Sequence, residues 1–253
     1  MRWRAGFVLC GFLATALGDS NAPGYLAMDF SVQTPGSVFA MQDPLVLRYQ
    51  VKNNIANSVT LSVFTKYYPL AQSALFEGDK QIEKSNDVDL NLAPVITLTP
   101  TQLTVPRGAT ETVTVTIHPT QEELEVKKTY RGYIVFQEQA APPATSPVNY
   151  RQIASIYVNT GKPDFGLLQI SCKVFGAPGH IQFNILNNSD YVFSPEVAVS
   201  DAVGHPLFNS KLMPVIQKTS ATRFLSWNER VKGPYSIILS MPDHSWQKTY
   251  ICE

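Results

Sequence analysis

Leu45-Val46-Leu47-Arg48-Tyr49-Gln50-Val51-Lys52 sets Leu45, Leu47, Tyr49 and Val51 against Val46, Arg48, Gln50 and Lys52, and the run stops at Asn53-Asn54. Successive side chains of an extended chain point to opposite faces, so this period of two marks a half-buried strand. The rhythm returns at Val59, Leu61 and Val63, then at Val113, Val115 and Ile117 between Thr112, Thr114 and Thr116. β-branched residues in that density sit poorly in a helix. Gly108 supplies the turn before that run. Tyr130, Gly132, Ile134 and Phe136 alternate with Arg131, Tyr133 and Val135, and a further strand is expected from Tyr150 to Val158.

Asn159-Thr160-Gly161-Lys162-Pro163-Asp164 reads as a linker, because Gly and Pro punctuate it. The alternation restarts beyond it at Leu168, Ile170, Cys172 and Val174. It goes on through Ile181, Phe183 and Ile185, then Val197 and Val199, then Tyr235, Ile237, Leu239 and Met241, and ends with Trp246 to Cys252. Strands at this spacing with turn chemistry between them predict an all-β chain of two tandem immunoglobulin-like β-sandwich domains. Two segments interrupt the pattern. Residues 67–94 are expected to form a long loop or weak hairpin, and the small, Pro-rich stretch 138–147 an exposed loop.

The composition agrees with a packed chain. Of 253 residues 44% are hydrophobic and only 16% charged, too apolar for intrinsic disorder. Lys plus Arg and Asp plus Glu each number 20, so no basic excess exists to displace counterions from nucleic acid. Met1-Arg2-Trp3-Arg4, the apolar run Gly6 to Leu17 and the small residues before Asp19 read as a secretory signal cleaved after Gly18. The run is too short to span a bilayer. The expected division is therefore 1–18 signal peptide, 19–160 first domain and 161–253 second domain, in an exported protein with no direct membrane insertion.

Removing the leader also removes Cys10 and leaves Cys172 and Cys252. An even count in an oxidising compartment predicts a disulfide between the first and last strands of the second domain.

Catalytic and metal constellations are absent from the sequence. His118, His180, His205 and His244 are scattered, with no His-Glu-x-x-His pair and no Cys at zinc-ligand spacing. No Gly-x-Ser-x-Gly elbow or phosphate loop occurs. Asp87 and Asp89, near Asn86 and Asn91, form an alternating acidic pair of a kind that could bind calcium but more often belongs to a solvated loop. The expectation is no enzyme, no metal and no cofactor.

Ile96-Thr97-Leu98-Thr99-Pro100-Thr101-Gln102-Leu103-Thr104-Val105-Pro106-Arg107-Gly108-Ala109-Thr110-Glu111-Thr112-Val113-Thr114-Val115, followed by Tyr130-Arg131-Gly132-Tyr133-Ile134-Val135-Phe136-Gln137-Glu138, resembles the periplasmic chaperones of the chaperone–usher pilus pathway. The sharp agreement covers about residues 95–158, and its Tyr-Arg run is closer to the divergent, archaic or alternative branches. The resemblance implies a periplasmic chaperone that binds pilus or fimbrial subunits, lends them a strand and passes them to an outer-membrane usher. Strand lending works because an unfinished sandwich has unpaired edges that aggregate unless another strand fills them.

On that resemblance the lent strand is the stretch from Pro147 to Val158, with Val148, Tyr150, Ile153 and Ile156 as its subunit-binding residues. Register decides which face meets the subunit; Val148 and Tyr150 are the favoured donors, with Ile156 and Val158 in the chain's own core. The family binds the subunit's terminal carboxylate with two basic side chains between its domains. Residues 26–40 here contain no basic residue, so Arg48, Arg131 and Arg151 are the substitutes considered. The alternatives are a fibre structural subunit or tip adhesin, or an exported immunoglobulin-like binding module of another purpose. A chaperone should carry a complete second domain, with Trp246 to Cys252 as its last strand.

Overall fold

The computed structural model describes residues 30–55, 57–69, 80–81, 90–120, 125, 127–139, 151–175, 179–227, 233–241 and 246–253, with 80–81 as backbone. The expected leader 1–18, Asp87, Asp89, His244, most of the Pro-rich loop, and the favoured donors Val148 and Tyr150 lie outside these residues.

The first half contributes β1 (Phe30–Gln33), β2 (Val38–Ala40), β3 (Leu45–Asn53), β4 (Val59–Lys66), β5 (Lys80–Gln81), β6 (Ile96–Thr99), β7 (Gln102–Val105), β8 (Thr110–Ile117), β9 (Thr129–Glu138) and β10 (Arg151–Asn159). The second contributes β11 (Leu168–Val174), β12 (His180–Asn187), β13 (Glu196–Ser200), β14 (Pro206–Lys211), β15 (Thr219–Ser226), β16 (Tyr235–Ser240) and β17 (Gln247–Cys252). A sheet ordered β1-β3-β8-β6 faces one ordered β2-β10-β9-β4-β7, and a second pair runs β11-β12-β15-β5 and β14-β13-β16-β17. The chain is all-β and folds as two sandwiches.

Period two becomes packing in β3, whose burial alternates residue by residue from Leu45 to Asn53. Leu45, Leu47, Tyr49 and Val51 meet Val113, Val115 and Ile117 of β8 in one sheet, and Leu61, Val63, Ile134, Phe136, Ile156 and Val158 in the other. Each such aliphatic side chain contributes roughly 1.5–3 kcal/mol when fully buried. The second core joins Ile181, Phe183 and Ile185 to Val197, Val199, Tyr235, Ile237 and Leu239. β6 and β7 belong to different sheets, and Pro100 between them has no N–H with which to continue a ladder.

β9 departs from simple alternation, because Arg131, Tyr133 and Val135 are buried as fully as their core-facing neighbours. The outer face of this strand is covered at its junction end by Tyr67 and Tyr68, which pack on Arg131 and Tyr133. Leu90–Leu92 runs beside it, with Arg131 N–H donating to Leu90 C=O at 2.8 Å and Leu92 N–H to Arg131 C=O at 2.8 Å. Gly132 allows that approach, since a Cβ there would lie 3.1 Å from both Leu92 Cβ and Ile96 Cδ1.

Residues 67–94 are therefore more than a loop or weak hairpin within the first half. Lys80 and Gln81 pair with Ser220 and Thr219 of β15, adding a short strand to the second sandwich. The segment 159–164 is not a slack linker at its start: Asn159 and Thr160 are buried, and Thr160 N–H donates to Lys128 C=O at 3.0 Å.

Candidate functional site

β10 forms because Ala154, Ile156 and Val158 give it a continuous inward face, with Gln152 as a polar member of the same set. Ile156 and Val158 are fully buried in the first core, so Ile156 has no side-chain surface to offer a partner. Arg151 is exposed, while Ile153 and Ser155 are half-buried on the opposite face. β9 pairs with β10 along the whole of Arg151–Asn159, but β2 pairs with it only at Tyr157, Val158 and Asn159. Tyr157 N–H donates to Ser37 C=O and Asn159 C=O accepts from Met41 N–H on that side. Alternate residues of a strand bond to alternate sides. The main-chain groups of Ile153 therefore also point to the side of β2, beyond the end of β2 itself.

Gln152, which sequence inspection passed over, closes the edge of the sandwich here. Its Oε1 accepts from Val32 N–H at 3.0 Å and its Nε2 donates to Phe30 C=O at 2.6 Å. A lone amide in an otherwise apolar parity set was the available signal.

The three arginine candidates do not converge. Arg48 is exposed on β3, opposite Thr114 of β8 and on the other sheet. Arg151 is exposed at the start of β10 and donates from Nη2 to Gln137 Oε1 at 2.6 Å. Arg131 lies opposite Tyr157 on β9, at the other end of that pair of strands, about 20 Å from Arg151 at roughly 3.3 Å per residue.

Arg131 alone is near the second sandwich, and it is fully buried. Its Nη2 donates to the Tyr67 hydroxyl at 3.3 Å, and its guanidinium lies 5.9 Å from the centre of the Tyr67 ring, within reach of a cation–π attraction. Tyr68 packs edge-on to Tyr133 with ring centres 5.0 Å apart. The junction position and the accessibility that a carboxylate anchor requires thus fall on different arginines.

Thr129 is the centre of the junction. Its Oγ1 donates to Asn159 Oδ1 at 2.5 Å and accepts from Val192 N–H at 2.9 Å. Its N–H donates to Asp190 C=O, and its C=O accepts from Gln217 Nε2 at 3.2 Å. Tyr157 packs there with Val192 and Ile216, with Val38 against them. The Tyr191 hydroxyl donates to Thr160 C=O at 3.3 Å. Burial, then the charges of Asp190 and Asp164, raise the Tyr191 pKa above the ordinary phenol value.

The second sandwich is finished by its own chain. β17 pairs with β16 along all of Tyr235–Ser240, Val174 N–H donates to Glu253 C=O at 2.9 Å, and Cys172 is bonded to Cys252. No group of three or more His, Cys, Asp or Glu side chains able to hold a metal occurs among the described residues.

No family model matches the sequence, and no curated protein matches it. Solved structures are similar to it at low identity. The CupB2 chaperone of Pseudomonas aeruginosa is 14% identical, over 87% of this chain and 98% of that one, with a TM-score of 0.42. A complex of Salmonella enterica SafA pilin with the SafB chaperone matches at 10% identity, over 88% and 95%, with a TM-score of 0.40. A PapD-like domain of human CEP192 matches at 10% identity, over 57% and 95%, with a TM-score of 0.39.

Proposed function

We propose that this chain is an exported, periplasmic assembly chaperone for pilus or fimbrial subunits. In this reading it lends the edge of β10 to a subunit whose sandwich lacks a strand, and hands the subunit to an outer-membrane usher. It acts one to one, without cofactor or ATP. The observation that supports the reading is the uneven flanking of β10, bordered by β9 throughout but by β2 only over Tyr157–Asn159. Main-chain pairing along such an edge gives affinity, and alternate side chains give specificity.

The complete pairing of β17 with β16 weighs against the fibre-subunit alternative, which would lack a final strand. Co-expression tests the proposal. A fibre subunit deprived of its donor strand should be soluble in the periplasm with this chain and aggregate or be degraded without it. Equal recovery in both cases would sink the chaperone reading. Replacing Val148 and Tyr150 together by Asp should abolish the complex if they are the donor residues; an intact complex would remove them from that role.

A further inference from the structure

β1 and β2 are consecutive strands on different sheets, and the chain crosses between them over residues 34–37. Continuing the parallel register that sets Val38 beside Tyr157 upstream would lay Val32–Ser37 along Arg151–Ile156. The first strand therefore has two places to go: its present seat against β3, or the edge of β10. Pro35, which has no N–H, and Gly36 at φ 136° favour the crossing. Gln152 holds the strand upstream of it. On β1, Phe30 C=O and Val32 N–H point away from β3, and the Gln152 amide engages both. One acceptor and one donor on either side of Ser31 is what a residue of a parallel neighbour would supply, so the side chain replaces a strand there.

We infer that Gln152 is a positioning residue that keeps β1 on the four-stranded sheet and off the edge of β10, an inference that rests on the strand-lending role proposed above. Amide hydrogen exchange followed by NMR on the full mature chain tests it without any partner. In Gln152→Leu the Val32 amide should lose protection, while the Ile153 amide gains it by tenfold or more as Gln33 moves alongside. A merely structural role would loosen both amides together. An Ile153 amide that exchanges as fast as in the wild type, or faster, overturns the inference. Should the Leu variant not fold, Gln152→Glu keeps the acceptor for Val32 N–H and loses the donor to Phe30 C=O. It should move the Ile153 amide in the same direction by a smaller factor, and no movement again overturns the inference.

Co-expression with a strand-deficient fibre subunit separates the two claims. Recovery of soluble subunit should fall at least fivefold with Gln152→Leu. If the wild-type chain itself protects no subunit, the strand-lending role fails whatever the amides do. If the wild type protects and the variant protects equally, the positioning role fails alone.

Discussion

Tyr49 sits in the middle of the first core, its ring 6.0 Å from that of Phe136. Its hydroxyl is buried with no hydrogen-bond partner among the described residues. Such a group pays for its lost hydration with roughly 1–3 kcal/mol. Tyr49→Phe is expected to raise stability by about 1 kcal/mol in denaturant unfolding at neutral pH, and a loss of stability would show that the hydroxyl has a role. Burial also raises the Tyr49 pKa. A raised folded-state pKa means that its contribution is complete below the unfolded value of about 10 and is lost as pH climbs towards the folded one. The Phe variant should therefore unfold less steeply than wild type above about pH 10. Arg131 is a fully buried charge held against the Tyr67 hydroxyl and ring. Arg131→Ala is expected to cost about 2–4 kcal/mol through the emptied space and the stranded Tyr67 hydroxyl. The exposed Arg48→Ala and Arg151→Ala should each stay within about 0.5 kcal/mol, and three equal effects in thermal melts would contradict the placement. The sequence showed Arg131 as a charge amid apolar neighbours, but a charge at that spot reads equally as solvent-facing, because burial on the outer face comes from residues distant in the chain.

Among the elements, β3, β8 and β12 were legible because one face is apolar and the other polar, so side-chain parity alone fixes which way they face. β10 was less so. Its apolar residues Ile153, Ile156, Tyr157 and Val158 occupy both parities, and the structure places Ile156 inward and Ile153 on the other side. A matched pair of substitutions turns this into a measurement. Ile156→Asp puts a carboxyl group into the first core, at a cost of several kcal/mol even once it is protonated. That takes up most of the roughly 5–15 kcal/mol margin of a typical domain and should lower the melting temperature steeply or abolish folding. Ile153→Asp should leave the melting temperature within a few degrees of wild type and lower subunit recovery at least tenfold. Should Ile153→Asp bind subunits normally, that face takes no part in recognition. β15 hid from sequence inspection for a different reason. Its inward set is Thr219, Ala221, Arg223 and Leu225, with Phe224 outward, so its polarity is inverted at the middle. Arg223 is accommodated because its Nη2 donates to Pro214 C=O at 2.6 Å. β5 carries no side-chain pattern at all: its two residues are held by main-chain pairing, which any sequence could supply.

For the whole molecule, the division into two sandwiches follows from strand spacing and the Gly-Pro punctuation, whereas the way they are joined depends on polar residues that look unremarkable in sequence. Thr129, Asn159, Thr160, Tyr191 and Gln217 meet only when β9, β10 and the start of the second sandwich are assembled. Their bonds are largely buried, where an unsatisfied donor is costly. β5 adds a further tie, since a segment leaving the first sandwich pairs with β15 of the second. A junction of this kind should make the two halves unfold together. Thr129→Val keeps the shape of the side chain but orphans Val192 N–H and the Asn159 side-chain oxygen, at a cost of roughly 1–3 kcal/mol. Calorimetry should then show the single wild-type transition divide into two. Thr222→Val, which removes only an exposed contact 3.3 Å from Asn184 Oδ1, should leave one transition at nearly the wild-type midpoint. If Thr129→Val also melts as one unit with an unchanged midpoint, the coupling lies in the apolar contact of Tyr157 with Val192 and Ile216. Ile216→Ala should then divide the transition instead, because that substitution strips apolar contact from the junction and leaves the Thr129 bonds in place.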